Sequence, residues 1–347
     1  MTRGRRALLA ILAIVLAALI WFLLPPRWTP RSAAAHPARS RDEALERIRR
    51  LQALDDSAAL LAPCSTMVLD HGANTARVYV LLHGFTNCPR QFGDLAKLLY
   101  DDGANVVVPR MPRHGIADAP HDVLASLTAD ELVGLSSEAV DIAHGLGDHV
   151  SIVALSSSAV VAGWLAEQRN DLDQVMLIAP SLAPRSVPLW LTVPLANALV
   201  HLPHIFVPWD ARRREPSGPP SAFPGFSTRA LARVYELGFH VLHDGAPPRS
   251  TRVILVTTLH DEGVNNGVVA ELGKRWAKED ASVRSFEFPA EAWVHHDMID
   301  PEQPYQRVSV VYPVLRKLLE TGSATLADSA AYAEPNAATA QAGTAPP

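Results

Sequence analysis

Six short runs of apolar, mostly β-branched residues punctuate the chain: VYVLL (78–82), NVVVP (105–109), VSIVAL (150–155), VMLIA (175–179), VILVTT (253–258) and VRSFEF (283–288). Near-continuous apolar runs of this length belong to strands buried on both faces, as in a parallel sheet covered by helices. Longer stretches of helical spacing separate them, so the pattern predicts an α/β class with a mostly parallel sheet flanked by helices. The first helix is expected just after Ser40, where Ser40 and Glu43 form an S-x-x-E capping pair and Leu45, Ile48, Leu51 and Leu54 follow at helical spacing. Between VMLIA and VILVTT the gap is far longer than the others and carries many prolines with Trp190, Phe206, Trp209, Phe223 and Phe226. A connection of that length in a compact domain predicts an inserted cap, about residues 185–245.

The two ends read differently from the middle. Residues 7–24, ALLAILAIVLAALIWFLL, contain no charge and are just long enough to cross a bilayer, with Arg3, Arg5 and Arg6 before them. The segment 1–24 is therefore expected to be an anchor in the inner membrane, single-pass, with the body outside the cytoplasm in the periplasm. The alternative is a signal peptide cleaved near Ala33 or Ala35, which would release a secreted body. The Pro- and Ala-rich residues 25–40 read as a linker, 41–321 as the folded domain, and 322–347, with no lysine or arginine, as a disordered tail.

Composition narrows the function by exclusion. A 347-residue chain that is 48% hydrophobic and 19% charged can bury one large core, and a net charge of −5 without a basic field argues against nucleic acid as a partner. There is no G-x-G-x-x-G and no Walker loop, and the H-x-x-H pairs at 201–204 and 240–243 stand without a third ligand motif, so no metal or cofactor is expected.

The candidate chemistry lies at HVSIVALSSSAVVAGWLAEQ (149–168), where a strand runs into three serines and then a helix. By register the strand ends at Leu155 and the helix begins near Ser157, leaving Ser156 at the tip of a tight strand-to-helix turn. This resembles the nucleophile elbow of the α/β-hydrolase superfamily, G-x-S-x-G, with Ala154 and Ser158 in place of the glycines. The resemblance extends to His83-Gly84-Phe85-Thr86 after an early strand, to VPRMPRHGIAD (108–118), and to the order Ser156, Asp261, His296 along the chain. It is closest to bacterial carboxylesterases and monoacylglycerol-lipase-like serine hydrolases, over roughly residues 64–320.

That resemblance implies a Ser-His-Asp triad in which Ser156 attacks an acyl ester, His296 is the base and Asp261 orients it, with oxyanion donors at the N–H groups of Phe85 and Ser157. Gly84 would let the backbone approach, and Ser157 and Ser158 would serve as the first helical residues with steric and capping roles. His295 is the rival base, and His114 reads as a histidine that packs its loop. Hydrolysis of a small-molecule ester, acyl transfer or thioester cleavage on the same triad, and a silent binding module are all compatible with these residues. Oligomeric state is not legible.

The only cysteines are Cys64 and Cys88. Outside the cytoplasm a disulfide persists, and Cys64 precedes an early strand, TMVLD, that could pair beside VYVLL and bring the two within bonding range. Two buried thiols are the alternative.

Overall fold

The computed structural model describes residues 3–24, 34–118, 122–209, 218–279 and 282–329. The linker residues 25–33, including Ala33, and the tail from 330 onward lie outside the described residues.

The strands are β1 (Met67–Leu69), β2 (Thr75–Leu82), β3 (Asn105–Val108), β4 (Gly147–Leu155), β5 (Gln174–Ile178), β6 (Phe206–Pro208), β7 (Gly225–Ser227), β8 (Arg252–Thr258) and β9 (Val283–Phe288). Seven of them form one sheet in the order β1-β3-β2-β4-β5-β8-β9, parallel except for β1. All six apolar runs lie in this sheet. TMVLD does too, but β1 pairs antiparallel with β3 and not with VYVLL, because β3 and β4 already occupy both edges of β2.

Nine α-helices are described: α1 (Arg3–Leu23), α2 (Arg41–Asp56), α3 (Gly93–Asp101), α4 (Ala129–Ala143), α5 (Ser157–Gln168), α6 (Leu189–His201), α7 (Thr228–Phe239), α8 (Asn266–Glu279) and α9 (Val308–Thr321). Alternation along β2 decides which helices cover which face. Val78, Val80 and Leu82 join a core with residues of α4, α5 and α8, whereas Tyr79 and Leu81 join one with α3 and α9. Every residue from Val78 to Leu82 is buried, as the unbroken apolar run requires.

At the start of α2, Ser40 Oγ accepts from Glu43 N, whereas the Glu43 carboxylate accepts from Arg39 N and so reaches one residue further back than a reciprocal box would. The body begins before Ser40, since His36 N and Ala38 N donate to Asp141 and Ala38 is buried. It also continues past Gly322. The helix α9 ends there in a left-handed residue, Leu326–Asp328 form a 3-10 turn, and Ser329 is buried with its hydroxyl on Ser309 O. The tail expected from 322 therefore does not begin before Ser329.

In the segment expected to be a cap, between β5 and β8, the described residues form α6 and α7 with the antiparallel pair β6 and β7. Its small core joins Ala196 and Val200 of α6 to Ala232, Tyr235 and Phe239 of α7.

Candidate active site

Ser156 follows β4, Asp261 follows β8 and His296 follows β9, so parallel strands deliver all three to the carboxyl edge of the sheet. The turn after Leu155 holds Ser156 at φ 60, ψ −114, a conformation rarely adopted by a residue with a side chain. Its backbone is fixed on both sides: Ser156 N donates to Ile178 O at 2.8 Å, and Ser156 O accepts from Ser181 N at 3.1 Å. The hydroxyl is left free to meet His296, with Ser156 Oγ and His296 Nε2 3.0 Å apart.

On the far side of the ring, His296 Nδ1 donates to Asp261 Oδ2 at 2.8 Å. Asp261 is fully buried, and its Oδ1 accepts from the N–H groups of Gly263 and Val264 at 2.9 and 2.8 Å. Burial alone would raise the Asp261 pKa, yet His296 and those two N–H groups hold it below the ordinary carboxylate value. His296 moves the opposite way. Burial disfavours its charge, but Asp261 and, beside it, Asp297 raise its pKa above that of a free imidazole. His295 also lines the cleft but lies between the rings of His260 and Tyr305, at 5.7 and 5.9 Å.

Phe85 and Ser157 both line the cleft above Ser156. Among the described residues neither backbone N–H has a hydrogen-bond partner, and Ser157 opens α5, where first-turn N–H groups are unpaired. The loop that carries Phe85 is held from several directions. His83 Nδ1 donates to Gly84 O at 3.0 Å, while its Nε2 accepts from Met111 N at 3.0 Å, which fixes the neutral tautomer. Burial, with the nearby His114 as a second cause, pushes the His83 pKa well below that of a free imidazole. Gly84 N donates to Gln91 Oε1 at 2.7 Å. A Cβ at Gly84 would stand 3.5 Å from Gln91 Oε1, an ordinary contact, so close backbone approach within the protein does not require the glycine.

His114 does more than pack its loop. It is buried, with Nε2 2.5 Å from Phe85 O and Nδ1 2.8 Å from Pro112 O, and so ties the 108–118 loop to the backbone of Phe85. Gly115 next to it is obligatory: φ is +69, and a Cβ would lie 2.5 Å from Cys64 Cβ. Ser158 does not cap α5. Its hydroxyl donates to His83 O, joining the elbow to the Phe85 loop.

The cysteines complete this bracing. Cys64 and Cys88 form a disulfide with Cα atoms 5.2 Å apart, and both are fully buried. The early strand reaches this distance from beside β3, because Cys88 lies beyond the end of β2 in the turn that leads to α3.

The cleft has a volume of about 410 Å³. Its apolar lining includes Phe85 and Leu155 with the cap residues Phe223, Leu231 and Tyr235. Trp209 of the cap also reaches it, donating from Nε1 to Thr86 Oγ1 at 2.9 Å, and Phe223 N donates to Thr86 O at 2.7 Å. Trp190, Phe206 and Phe226 do not line the cleft; Phe226 packs on Trp209 with ring centroids 4.6 Å apart. Gln91, Asp297 and Gln303 add polar groups to the lining, and Gln303 Nε2 donates to Asp297 Oδ2 at 2.6 Å. Asn87 Nδ2 donates to Asp300 Oδ2 at 3.1 Å, and burial followed by the charge of Asp297 pushes the Asp300 pKa up to about 6.

Sequence reasoning missed Arg185, Gln91 and Asp300. Arg185 Nη1 donates to Asp261 O and steadies the loop that carries Asp261 from the start of the cap. A polar residue in a loop or a 3-10 turn carries no periodic signal, so nothing local distinguishes it. Among the described residues no group of three or more His, Cys, Asp or Glu is arranged to hold a metal.

No protein-family model and no curated protein matches this sequence. Solved structures do match in three dimensions. A metagenome-derived lipolytic enzyme is similar at 20% identity and TM-score 0.53, over 69% of this chain and 91% of its own. The monoacylglycerol lipase of Paleococcus ferrophilus matches at 17% identity and TM-score 0.54, over 69% and 91%. A soluble variant of monoglyceride lipase from Saccharomyces cerevisiae, in complex with a substrate analog, matches at 13% identity and TM-score 0.57, over 75% and 92%. The chain therefore has the α/β-hydrolase fold.

Proposed function

We propose that the chain is a membrane-anchored serine hydrolase that cleaves carboxylic esters through an acyl-enzyme on Ser156. The observation that carries this reading is the continuous contact from Ser156 Oγ to His296 Nε2 at 3.0 Å and from His296 Nδ1 to Asp261 Oδ2 at 2.8 Å, at a strained elbow on the floor of a cleft.

A serine hydroxyl is a weak nucleophile at neutral pH. His296 takes its proton as Oγ attacks the ester carbonyl, and Asp261 keeps the ring oriented and offsets the charge it gains. The carbonyl oxygen becomes an oxyanion, which accepts from the N–H groups of Phe85 and Ser157; each such donor is worth about 3–4 kcal/mol in the transition state. His296 then protonates the departing alcohol. Water deprotonated by the same histidine frees the acid and restores Ser156. No step calls for a metal or an organic cofactor.

The apolar lining of Phe85, Leu155, Phe223, Leu231 and Tyr235 suits an acyl chain, so medium-length acyl esters are expected to exceed acetate. Residues Gly4–Leu23 form a helix of mean hydropathy 2.6, long and apolar enough to cross a bilayer, and an uncharged run longer than the apolar core of a usual signal peptide, preceded by arginines, favours a retained span with the catalytic body on the periplasmic side.

Labelling with a fluorophosphonate, followed by mapping of the modified peptide, tests the reading. Label on Ser156, together with loss of p-nitrophenyl ester cleavage in Ser156→Ala but not in Ser157→Ala, is the expected result. An unlabelled, inactive wild type overturns it, as does label on Ser157.

A further inference from the structure

The N-terminal helix does not stand apart from the cap. Asn197 of α6, itself buried, donates from Nδ2 to Phe22 O at 2.8 Å and to Leu24 O at 3.0 Å. Helix carbonyls at a C-terminus lack partners within the helix, and this side chain supplies one to the end of α1. Trp21 packs beside His201 at the end of α6, with ring centroids 5.2 Å apart. From Gly4 to Ala18 the residues of α1 are exposed, so it is the end of the helix that meets the cap.

Length then fixes depth. The uncharged run 7–24 is 18 residues, about 27 Å at 1.5 Å per residue, and a hydrocarbon core is about 30 Å thick. As a retained span this run has no slack, which would put Leu24 at the bilayer surface and α6, bonded to it, at the same level.

The cap surface around that point is apolar. Residues 186–209, SVPLWLTVPLANALVHLPHIFVPW, contain no Asp, Glu, Lys or Arg. Trp190 is 77% exposed, Ile205 61% and Leu202 53%, with Leu189, Leu195 and Trp209 also exposed. Exposed large apolar side chains gathered on one segment mark an interaction surface, and tryptophans favour the membrane interface.

We propose that the outer face of the cap, centred on α6 and the residues that follow it, docks on the lipid bilayer, held there by the contact of Asn197 with the end of α1. This rests on the reading of residues 7–24 as a retained span. The occupant is the bilayer surface, because the partner already seated beside the patch is a helix built to lie in lipid. Trp209, half exposed and also part of the cleft lining, links the outer face of the cap to the cleft.

The test uses the full chain reconstituted in phospholipid vesicles. Single cysteines introduced as Trp190→Cys, Ile205→Cys or Leu54→Cys are labelled with an environment-sensitive fluorophore; Leu54 is 62% exposed on α2, which packs on α4. The native cysteines are buried and joined to each other, so they do not compete for label. Lipids brominated in the acyl chain are expected to quench the label at 190 and 205 and to leave that at 54 bright, with quenching at 190 reduced by Asn197→Ala. Retention of the chain after a carbonate wash reports the span separately. Retention without quenching at 190 and 205 overturns the docked cap and leaves the anchor standing, equal quenching at 54 overturns the orientation, and loss of the chain in the wash overturns both. None of these outcomes depends on hydrolysis, so a failure of the esterase reading is distinguishable.

Discussion

His83 donates through Nδ1 to the carbonyl oxygen of Gly84 at 3.0 Å, and in doing so aims a group that it does not touch. The C=O of Gly84 and the N–H of Phe85 belong to one planar trans peptide and point in opposite directions. Pinning the oxygen, which also accepts from Asn87 N at 3.2 Å, therefore directs the Phe85 N–H away from His83.

Replacing His83 should cost turnover more than binding. His83→Ala leaves Gly84 O with one donor and Met111 N without its acceptor, so the peptide can rotate and the oxyanion loses part of a donor. Loss of a whole donor is worth roughly 10²–10³-fold in kcat, and about 10–100-fold is expected here with KM nearly unchanged. Steady-state kinetics on a p-nitrophenyl ester, with circular dichroism to establish folding, check it. An unchanged kcat would show that the loop needs no such brace.

Ser158→Ala should separate the bracing of the loop from the nucleophile. It deletes the hydrogen bond from Ser158 Oγ to His83 O and leaves that buried carbonyl short of a donor. The expected cost is about 1–3 kcal/mol of stability, read from the urea midpoint, with ester cleavage retained. Complete inactivation of a folded Ser158→Ala would move the nucleophile.

The pH dependence follows from the raised pKa of His296. The base must be neutral in the free enzyme, so kcat/KM falls as the pH drops through a pKa displaced upward from the ordinary imidazole value of 6.5. Asp297→Asn removes one of the charges that raise it, and the acid limb should move to lower pH while the alkaline side stays in place. A limb below 6.5 in the wild type, or no movement in Asp297→Asn, counts against this electrostatic account. His295→Ala, elsewhere in the cleft lining, should leave the limb where it is.

The disulfide closes a separation of 24 residues and ties the turn behind Phe85 to the segment before β1. In the chain-entropy model such a loop is worth about 3 kcal/mol. Denaturant unfolding with and without reductant measures it, and thiol counting on denatured, unreduced protein should give close to none. Two thiols per chain, or identical midpoints, would remove the bridge from the account.

The sequence by itself determined the layers and the order in which Ser156, Asp261 and His296 reach the edge of the sheet. Five apolar runs specify five inner strands because a strand covered on both faces cannot hide polar residues on either, and that constraint is local and visible, whereas the mixed run VRSFEF forms the edge strand β9 with its polar residues exposed. The register of VSIVALSSS likewise puts Ser156 at the turn, since a strand followed at once by a helix leaves one residue between two incompatible backbone geometries. Tertiary structure alone decided what depends on residues far apart in the chain. The partner of β1 is β3 because β2 has only two edges and both are taken. His296, rather than His295, meets Ser156 because adjacent residues in a loop point different ways, and composition carries no direction. The polar atoms that hold the Phe85 loop, from His83, Gln91, His114 and Ser158, and the grip of Asn197 on α1, leave no periodic trace. Each is one side chain satisfying one backbone group, and which group it reaches is settled only when the core has packed.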